Sequence, residues 1–214
     1  MMTYHRSVII FLRIIFCVLP SIALAAEKPT QTLDDYLPAG CYHSGDYLQQ
    51  KIIPGLAQPL QTQGTFVYSC DHGLVWHTQH PIVETAIYKI SGRHFLATDD
   101  NALNPMAGRV HQSLGTLLNH LIGGDAAYLQ RHFQAAMEPG QLQLIPKNKR
   151  LKKFIQYILI EPKNDQVTIE LHHAGDELTH ITIVDRHVHE HLDQPLCEQL
   201  LPGKELACTT LLTE

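Results

Sequence analysis

The sequence predicts a mainly β fold: an antiparallel, strongly curved sheet whose open side is covered by a helix. Three observations predict it. From Asp46 onward, short runs rich in β-branched and aromatic residues alternate with Gly, Pro, Asp and Asn clusters, as in a meander of hairpins. Between Pro105 and Arg131 the apolar residues have helical spacing instead. Strands and helices do not alternate along the chain, which argues against a parallel α/β sheet.

The first 25 residues differ from the rest of the chain. Arg6 precedes a long apolar run that ends in Ala-Leu-Ala at 23–25, the small-x-small pattern that signal peptidase accepts. A membrane anchor is the alternative, but Arg13 and Pro20 interrupt the run. We therefore predict a cleaved secretory signal at 1–25 and an exported protein at 26–214, which in a bacterium lies in the periplasm.

The predicted mature chain, 26–214, has the length of one ordinary domain. It contains no further run of the roughly 20 apolar residues that a membrane-spanning helix needs. Without Arg6 and Arg13, the 16 basic residues fall to 14 against 21 acidic residues, so the formal charge becomes about −7. A mildly acidic surface argues against nucleic acid as the partner.

Four cysteines remain after cleavage of the signal: Cys41, Cys70, Cys197 and Cys208. An even number in an oxidising compartment predicts disulfides, and three pairings are possible. Cys197 with Cys208 is the favoured pair because it closes the short loop CEQLLPGKELAC, which leaves Cys41 with Cys70. The alternative, four thiolates on zinc, lacks a C-x-x-C pair.

The predicted strands form two groups. YLQQKII, GTFVYS, LVWHT, ETAIYKI and HFLAT make the first group; the hairpin FQAAMEPGQLQLIP, KKFIQYILIEP, QVTIELHHAGD and ELTHITIVD make the second. In GTFVYS the side chains of Phe66 and Tyr68 share one face, and in LVWHT those of Leu74 and Trp76 do so. One face of the sheet is therefore predicted to be apolar.

A helical segment lies between the two groups of strands. Its apolar residues are spaced by three and four, which predicts one buried stripe: Val110, Leu114, Leu117, Leu118 and Leu121. Gly123 and Gly124 predict the end of this helix, and DAAYLQRH predicts a second, shorter one.

The motifs occur in the order of a known family. YLQQK, GTFVYS and GLVWHTQHP are followed by LLNHLI, QLQLIPKNKRLKKFIQYILI and ELHHAGDELTHITI, between Tyr47 and Asp185. This succession resembles the LolA family, periplasmic carriers of outer-membrane lipoproteins. The resemblance implies an open half-barrel with a helical lid over an apolar cavity that holds acyl chains, without cofactor or covalent chemistry. It also implies a monomer that takes lipid or lipid-modified protein from an inner-membrane donor to an outer-membrane acceptor.

Two features differ from that family. Its members have an arginine before a proline in the turn ahead of the tryptophan, and this arginine helps to hold the lid shut. Here the turn is SCDHG, with Cys70 near that position. The tail at 192–214 also differs. The sequence therefore leaves open how the lid is held and which cargo is carried.

Candidate cavity-lining residues are the apolar residues on one face of the strands and on the helical stripe. The strand KKFIQYILIEP is apolar on both faces, and Ile155, Tyr157 and Leu159 are favoured there. Ordinary packed core is the alternative for every candidate, because alternation does not distinguish a filled core from a cavity. The full set is Phe66, Tyr68, Leu74, Trp76, Tyr88, Ile90, Leu114, Leu117, Leu118, Leu121, Leu142, Leu144, Ile155, Tyr157, Leu159, Val167, Ile169, Ile181 and Ile183.

Histidines are numerous, with 15 in the chain. In HVHEH, the side chains of His187, His189 and His191 would share one face of a strand and could bind Zn²⁺ or Cu²⁺. A solvated edge or loop is the favoured alternative. His77 and His80 are predicted not to form a site, because side chains three apart on a strand face opposite sides, and His77 is predicted on the solvent side.

One segment is strongly basic in an otherwise acidic protein. KNKRLKK contains Lys147, Lys149, Arg150, Lys152 and Lys153. It is either a solvated hairpin loop or a docking patch for an anionic membrane surface or an acidic partner.

The sequence contains none of the common catalytic motifs G-x-S-x-G, H-E-x-x-H or the P-loop, so a non-catalytic protein is predicted. Two functions remain: a carrier of acyl chains, or a binding or sensing module on the same scaffold that uses the histidines of HVHEH for metal.

Overall fold

The computed structural model describes residues 31–97, 102–164 and 166–213; the predicted signal at 1–25 lies outside them, as does the side chain of Val110. The described part contains eleven strands. They are β1 (Tyr42–Ile52), β2 (Leu60–Ser69), β3 (Gly73–His80), β4 (Glu84–Lys89), β5 (His94–Ala97), β6 (Leu103–Pro105), β7 (Phe133–Glu138), β8 (Gln141–Pro146), β9 (Ile155–Lys163), β10 (Gln166–His173) and β11 (Leu178–His189).

All eleven strands belong to one antiparallel sheet, which confirms the predicted fold class. Its order is β6-β5-β4-β3-β2-β1-β11-β10-β9-β8-β7, so β6 and β7 form the two edges and the sheet is not closed into a barrel. The two predicted groups of strands meet where β1 pairs with β11, with Tyr47 opposite Ile183. The first and last strands of the chain thus lie side by side at the centre.

Four α-helices complete the described part: α1 (Arg109–Ile122), α2 (Ala126–His132), α3 (Gln194–Leu200) and α4 (Glu205–Leu212). Gly124, at φ +64°, follows α1 and permits the tight turn into α2. The carboxylates of Asp125 and Asp193 cap α2 and α3 by accepting from the backbone N–H groups of Tyr128 and Leu196. Among these helices, none has the length and apolar composition needed to cross a bilayer.

The sheet has an apolar cluster on each face. The inner cluster contains most of the predicted cavity residues and is contacted by α1 and α2. The outer cluster combines Val67, Val75 and Ile87 of β2 to β4 with the C-terminal segment, including Leu201 and Leu211. The described part of the tail, 192–213, therefore contains a helical hairpin, α3 and α4, that covers the outside of the sheet. His77, predicted on the solvent side, lies on this outer face but is only 8% exposed and hydrogen-bonds Thr85.

Both predicted disulfides are confirmed. Cys197 of α3 is bonded to Cys208 of α4, with their Cα atoms 5.7 Å apart. Cys41 is bonded to Cys70, with Cα atoms 5.0 Å apart, and joins the start of β1 to the end of β2. Neither pair can therefore supply thiolates to zinc.

Two β-bulges overturn predictions made from strict alternation. In β9, Tyr157 pairs with His172 but Ile155 pairs with His173, so Gln156 is an extra residue. Ile155 and Ile158 consequently both face the inner cluster, whereas the predicted inward residues Tyr157 and Leu159 lie on the outer face.

In β3 the same irregularity occurs at Gln79. Gly64 pairs with Thr78 but Gln63 pairs with His80, which leaves Gln79 without an opposite residue. His77 and His80 therefore share the outer face, and the prediction that they face opposite sides is wrong.

Candidate functional site

A cavity of about 560 Å³ lies between α1 and the inner face of the sheet. Its walls come from α1, from the segment just before it, and from β1, β4, β5, β6, β10 and β11. This volume is within the range of small-molecule binding sites, roughly 300–1,000 Å³. The apolar wall consists of Tyr88, Leu96, Pro105, Met106, Ala107, Leu114, Gly115, Leu117, Leu118, Leu121, Leu171 and Ile181.

The remaining lining residues are polar: Gln49, Glu84, Asn104, His173 and Thr179. Gln49, His173 and Thr179 lie near the end of β1, the end of β10 and the start of β11, which are neighbouring strands. Glu84 lies at the start of β4, three strands from β1 but at the same end of the antiparallel sheet, and Asn104 lies on β6. His173 Nε2 lies 2.9 Å from Thr179 Oγ1. Burial and the nearby Lys51 lower the pKa of His173, so this imidazole is neutral at pH 7. The cavity therefore has an apolar interior and a polar end.

The predicted cavity residues separate into three groups. Tyr88, Leu114, Leu117, Leu118, Leu121 and Ile181 line the cavity. A second group belongs to the packed inner cluster without lining the cavity: Phe66, Tyr68, Leu74, Trp76, Leu142, Leu144, Ile155, Val167, Ile169 and Ile183. Tyr157 and Leu159 lie on the outer face, and Ile90 is 49% exposed because β4 ends at Lys89 and the chain turns there.

Aromatic stacking explains why part of the interior is filled. The rings of Tyr47 and Trp76 stack with centroids 3.8 Å apart, and Phe66 lies 5.9 Å from Trp76. The ring of His43 stacks on Tyr68 at 4.8 Å. These large side chains occupy the space under β1 to β3 and restrict the cavity to the region beside α1.

Three polar contacts attach α1 to the sheet. His43 Nε2 donates to the carbonyl oxygen of Ile122 at 2.8 Å, at the end of the helix. The side-chain amide of Asn119 donates to the carbonyl oxygen of Tyr88 at 2.8 Å. His94 Nε2 lies 3.2 Å from the carbonyl oxygen of Gln112. These contacts hold α1, which forms the lid, against the sheet.

Two glycines allow the helical segment to approach the aromatic side chains closely. A Cβ atom on Gly115 would lie 2.4 Å from Cδ1 of Tyr88, and one on Gly123 would lie 2.0 Å from the hydroxyl oxygen of Tyr68. Neither distance is compatible with a side chain, so any larger residue would move the helix or displace the ring. The narrow spacing between lid and sheet depends on both positions.

His43 is expected to make the stability of the protein pH-dependent. Burial lowers its pKa from 6.5 to about 4, so the unfolded chain binds the proton first as the pH falls. The part of the stability that depends on a neutral His43 is fully present above pH 6.5 and is lost as the pH falls from 6.5 to 4. A shift of this size corresponds to about 3 kcal/mol in total and about 2 kcal/mol by pH 5.

Urea unfolding of the parent protein and of His43→Gln at pH 7.5 and pH 5 measures this effect. The glutamine side chain keeps a donor for Ile122 but does not titrate. The parent should lose about 2 kcal/mol more than the variant between the two pH values. Both proteins contain the other histidines with lowered pKa values, so the contributions of these residues cancel in the comparison. They are His120, His173 and His189. Equal losses would show that His43 does not carry the dependence.

Sequence reasoning missed several lining residues. Leu171 continues the alternation of Val167 and Ile169 along β10, so this pattern was sufficient to find it. Leu96 and Met106 lie in short segments with no clear periodicity. The polar lining residues come from four separate parts of the chain, and only the sheet topology brings them together.

The histidines of HVHEH are not gathered into a metal site. His189 Nε2 lies 2.9 Å from Ser44 Oγ, and His191 lies 3.6 Å from Asp193, beyond the end of β11. Within the described ranges, the one group of three possible ligand atoms within 4.8 Å is Cys41, Cys70 and Asp71, and its cysteines form a disulfide.

The basic segment lies next to the polar end of the cavity. Lys147, Lys149, Arg150, Lys152 and Lys153 connect the end of β8 to the start of β9. The carbonyl oxygen of Phe154 accepts from the N–H of Ala174 at 3.0 Å, directly after the lining residue His173. Phe154 itself is 41% exposed.

Neither a protein-family model nor a curated protein matches this chain. Solved structures that are similar to it include the following three. A LolA superfamily protein from Nitrosomonas europaea has 9% identity and a TM-score of 0.47, covering 75% of this chain and 92% of the other. A DUF1329 family protein from Desulfovibrio piger has 7% identity and a TM-score of 0.45, covering 75% and 91%.

The third is a putative outer membrane lipoprotein-sorting protein domain from Vibrio parahaemolyticus, with 7% identity and a TM-score of 0.43, covering 76% of this chain and 92% of the other. The first of the three bears the name of the family that the motif order resembles. Because identities are below 10% and TM-scores below 0.5, the functional interpretation depends on the geometry of this chain.

Proposed function

We propose that this protein is a carrier that holds the acyl chains of a lipoprotein or another lipid in the cavity and moves them between membranes. The observation that carries the proposal is the apolar cavity of about 560 Å³ under α1. Burying one methylene group contributes about 0.8 kcal/mol. A long chain therefore gains several kcal/mol after the cost of ordering it, without any chemical step.

The features at both ends of the chain support an exported, periplasmic carrier. The segment 1–25 has the pattern of a secretory signal. The two disulfides, Cys41–Cys70 and Cys197–Cys208, are stable in an oxidising compartment such as the periplasm. In this proposal a monomer receives cargo from an inner-membrane donor and delivers it to an outer-membrane acceptor.

Loading and release would depend on α1, because this helix forms one whole wall of the cavity. Its attachment through His43, Asn119 and His94 is polar and local. Each such hydrogen bond contributes only about 1 kcal/mol net. A cargo chain that enters between the helix and the sheet can therefore replace these contacts by its own apolar burial.

Native mass spectrometry of the full-length protein, purified from the periplasm of an exporting host, tests the proposal. A carrier should retain lipid or acylated peptide, and after delipidation it should take up an apolar fluorescent dye. A lipid-free protein that takes up no dye would contradict the carrier. A lipid-free protein that holds stoichiometric zinc would support the binding or sensing module instead.

We also propose that the basic segment, KNKRLKK, directs the cavity toward an anionic membrane surface. Each lysine or arginine near such a surface contributes about 1 kcal/mol at physiological salt. The triple change Lys149→Glu, Arg150→Glu and Lys152→Glu should weaken binding to phosphatidylglycerol vesicles about a hundredfold or more, as measured by vesicle sedimentation.

Lys163→Glu is the matched control, because Lys163 lies at the opposite end of β9 from the basic segment and is exposed. This variant should bind the vesicles within about twofold of the parent. Unchanged sedimentation of the triple variant at low salt would exclude membrane docking by the segment. Weaker binding to an acidic protein alone would assign it to a protein partner.

A further inference from the structure

At the polar end of the cavity, Glu84 is the only acidic residue in the described lining, and no lysine or arginine lines it. Gln49, Asn104 and Thr179 are uncharged, and burial lowers the pKa of His173, which keeps it neutral. Glu84 is therefore the one carboxylate side chain in the described lining of the cavity. It is exposed at the start of β4.

The Glu84 carboxylate acts electrostatically on two tyrosines of the interior, Tyr47 and Tyr88. Burial, with a smaller contribution in the same direction from the Glu84 carboxylate, raises the pKa values of Tyr47 and Tyr88 to about 12. Tyr88 is itself part of the cavity wall. Lys51, which lowers the pKa of the lining residue His173, is paired with Glu177 at 2.9 Å. The basic segment lies on the loop between β8 and β9 and is not part of the cavity wall, and the described lining residues include no lysine or arginine. A negative group inside this end of the cavity would therefore meet the Glu84 carboxylate and no cationic side chain of the wall.

The position of a bound amphiphile follows from this arrangement. Its acyl chain lies against the leucines of α1, and its head group lies at the polar end. The amides of Gln49 and Asn104 and the hydroxyl of Thr179 can each donate and accept hydrogen bonds, which suits hydroxyl, ester and amide groups. A carboxylate or phosphate there is repelled by the Glu84 carboxylate, and we expect this repulsion between like charges to weaken binding about tenfold.

We propose that Glu84 determines head-group specificity, so that the cavity selects acyl compounds with an uncharged, hydrogen-bonding head group and rejects those with an anionic one. This inference rests on the proposed carrier function and adds the class of cargo to it. Glu84 acts by direct repulsion of the ligand.

Displacement of an apolar fluorescent dye by two ligands with the same chain, 1-monolauroylglycerol and laurate, tests the proposal at pH 8 and low salt. The parent protein should bind monolauroylglycerol about tenfold more tightly than laurate. Glu84→Gln should bind laurate about fivefold to tenfold more tightly than the parent does, and monolauroylglycerol within about twofold. Glu161→Gln, which removes a carboxylate exposed on the outer face of β9, is the control and should bind both ligands as the parent does.

Equal affinities of the parent for the two ligands, or a preference for laurate, would overturn the specificity and leave the carrier function intact. A preference for monolauroylglycerol that persists unchanged in Glu84→Gln would remove Glu84 from this role. Failure of the parent to bind the dye and both ligands would contradict the carrier function itself.

Discussion

Replacing Leu118 with glutamate is expected to weaken the binding of an acyl chain about a hundredfold. Leu118 lies on α1, is half-buried and lines the cavity. A carboxylate at this position keeps its hydration and prevents three or four methylene groups from burying themselves against the helix. At about 0.8 kcal/mol for each methylene, the loss is about 3 kcal/mol, which corresponds to the hundredfold change. Titration with the apolar dye and displacement by monolauroylglycerol measure it.

Gln112→Glu is the matched control for this prediction. Gln112 lies on the same helix but its side chain is exposed, so the variant adds an equal charge outside the cavity. It should bind the dye as the parent does, and circular dichroism should show that both variants are folded. If Leu118→Glu is folded and binds the dye with the parent's affinity, the cavity under α1 is not the binding site.

Removing the disulfide between α3 and α4 is expected to cost about 3 kcal/mol of stability while leaving acyl binding unchanged. Cys197 and Cys208 are separated by 11 positions and are both fully buried. Without the crosslink, the unfolded chain regains the conformational entropy that closing a loop of this length had removed. This gain lowers the free energy of unfolding by about 3 kcal/mol. Chemical denaturation of the double variant Cys197→Ala, Cys208→Ala measures the change.

Acyl binding should be unchanged because the disulfide and the cavity lie on opposite faces of the sheet. α3 and α4 pack on Val67, Val75 and Ile87 of the outer face, whereas the cavity lies on the inner face. Dye affinity of the folded double variant should stay within about twofold of the parent. A loss below about 1 kcal/mol would show that the crosslink does not stabilise the hairpin. A large loss of dye affinity would show that the outer helices shape the cavity.

The fold could be predicted wherever one regularity persisted along an element. β10 illustrates this, because Val167, Ile169 and Leu171 alternate without interruption and all three face the inner cluster. Alternation failed at Gln156 and Gln79, where one extra residue reverses the face of everything beyond it. The residue types at these two positions are unremarkable in a strand, so the sequence gives no warning.

The outer cluster could have been predicted from strands that are apolar on both faces, a pattern that a search for strict alternation does not reveal. Val67 lies between Phe66 and Tyr68, and Val75 lies between Leu74 and Trp76. Strands that are apolar on both faces are buried on both sides, so a second layer over β2 and β3 follows from these residues. The identity of that layer, the C-terminal helical hairpin, depended on contacts across more than a hundred residues.

The candidate site was predictable in its apolar part only. The leucine stripe of α1 identified the lid because its apolar residues recur every three or four positions. The contacts that hold the lid join His43 to Ile122 and Asn119 to Tyr88. These pairs combine a side chain with a distant backbone carbonyl group, and every residue has a carbonyl group. No pattern of residue types distinguishes the partner that is used.

The order of the strands also limits how wide the cavity can become. β6 and β7 are the two outermost strands of the sheet, and α1 and α2 are the segment that connects them. β6 ends at Pro105, only a few residues before α1, and β7 begins at Phe133, immediately after α2. The helical segment over the cavity is thus connected at its two ends to the two edge strands of an open sheet. In the proposed carrier, cargo that lifted these helices would also draw the two edge strands together or extend the connection between them. The number of residues in this connection would therefore set an upper bound on the width of the cargo.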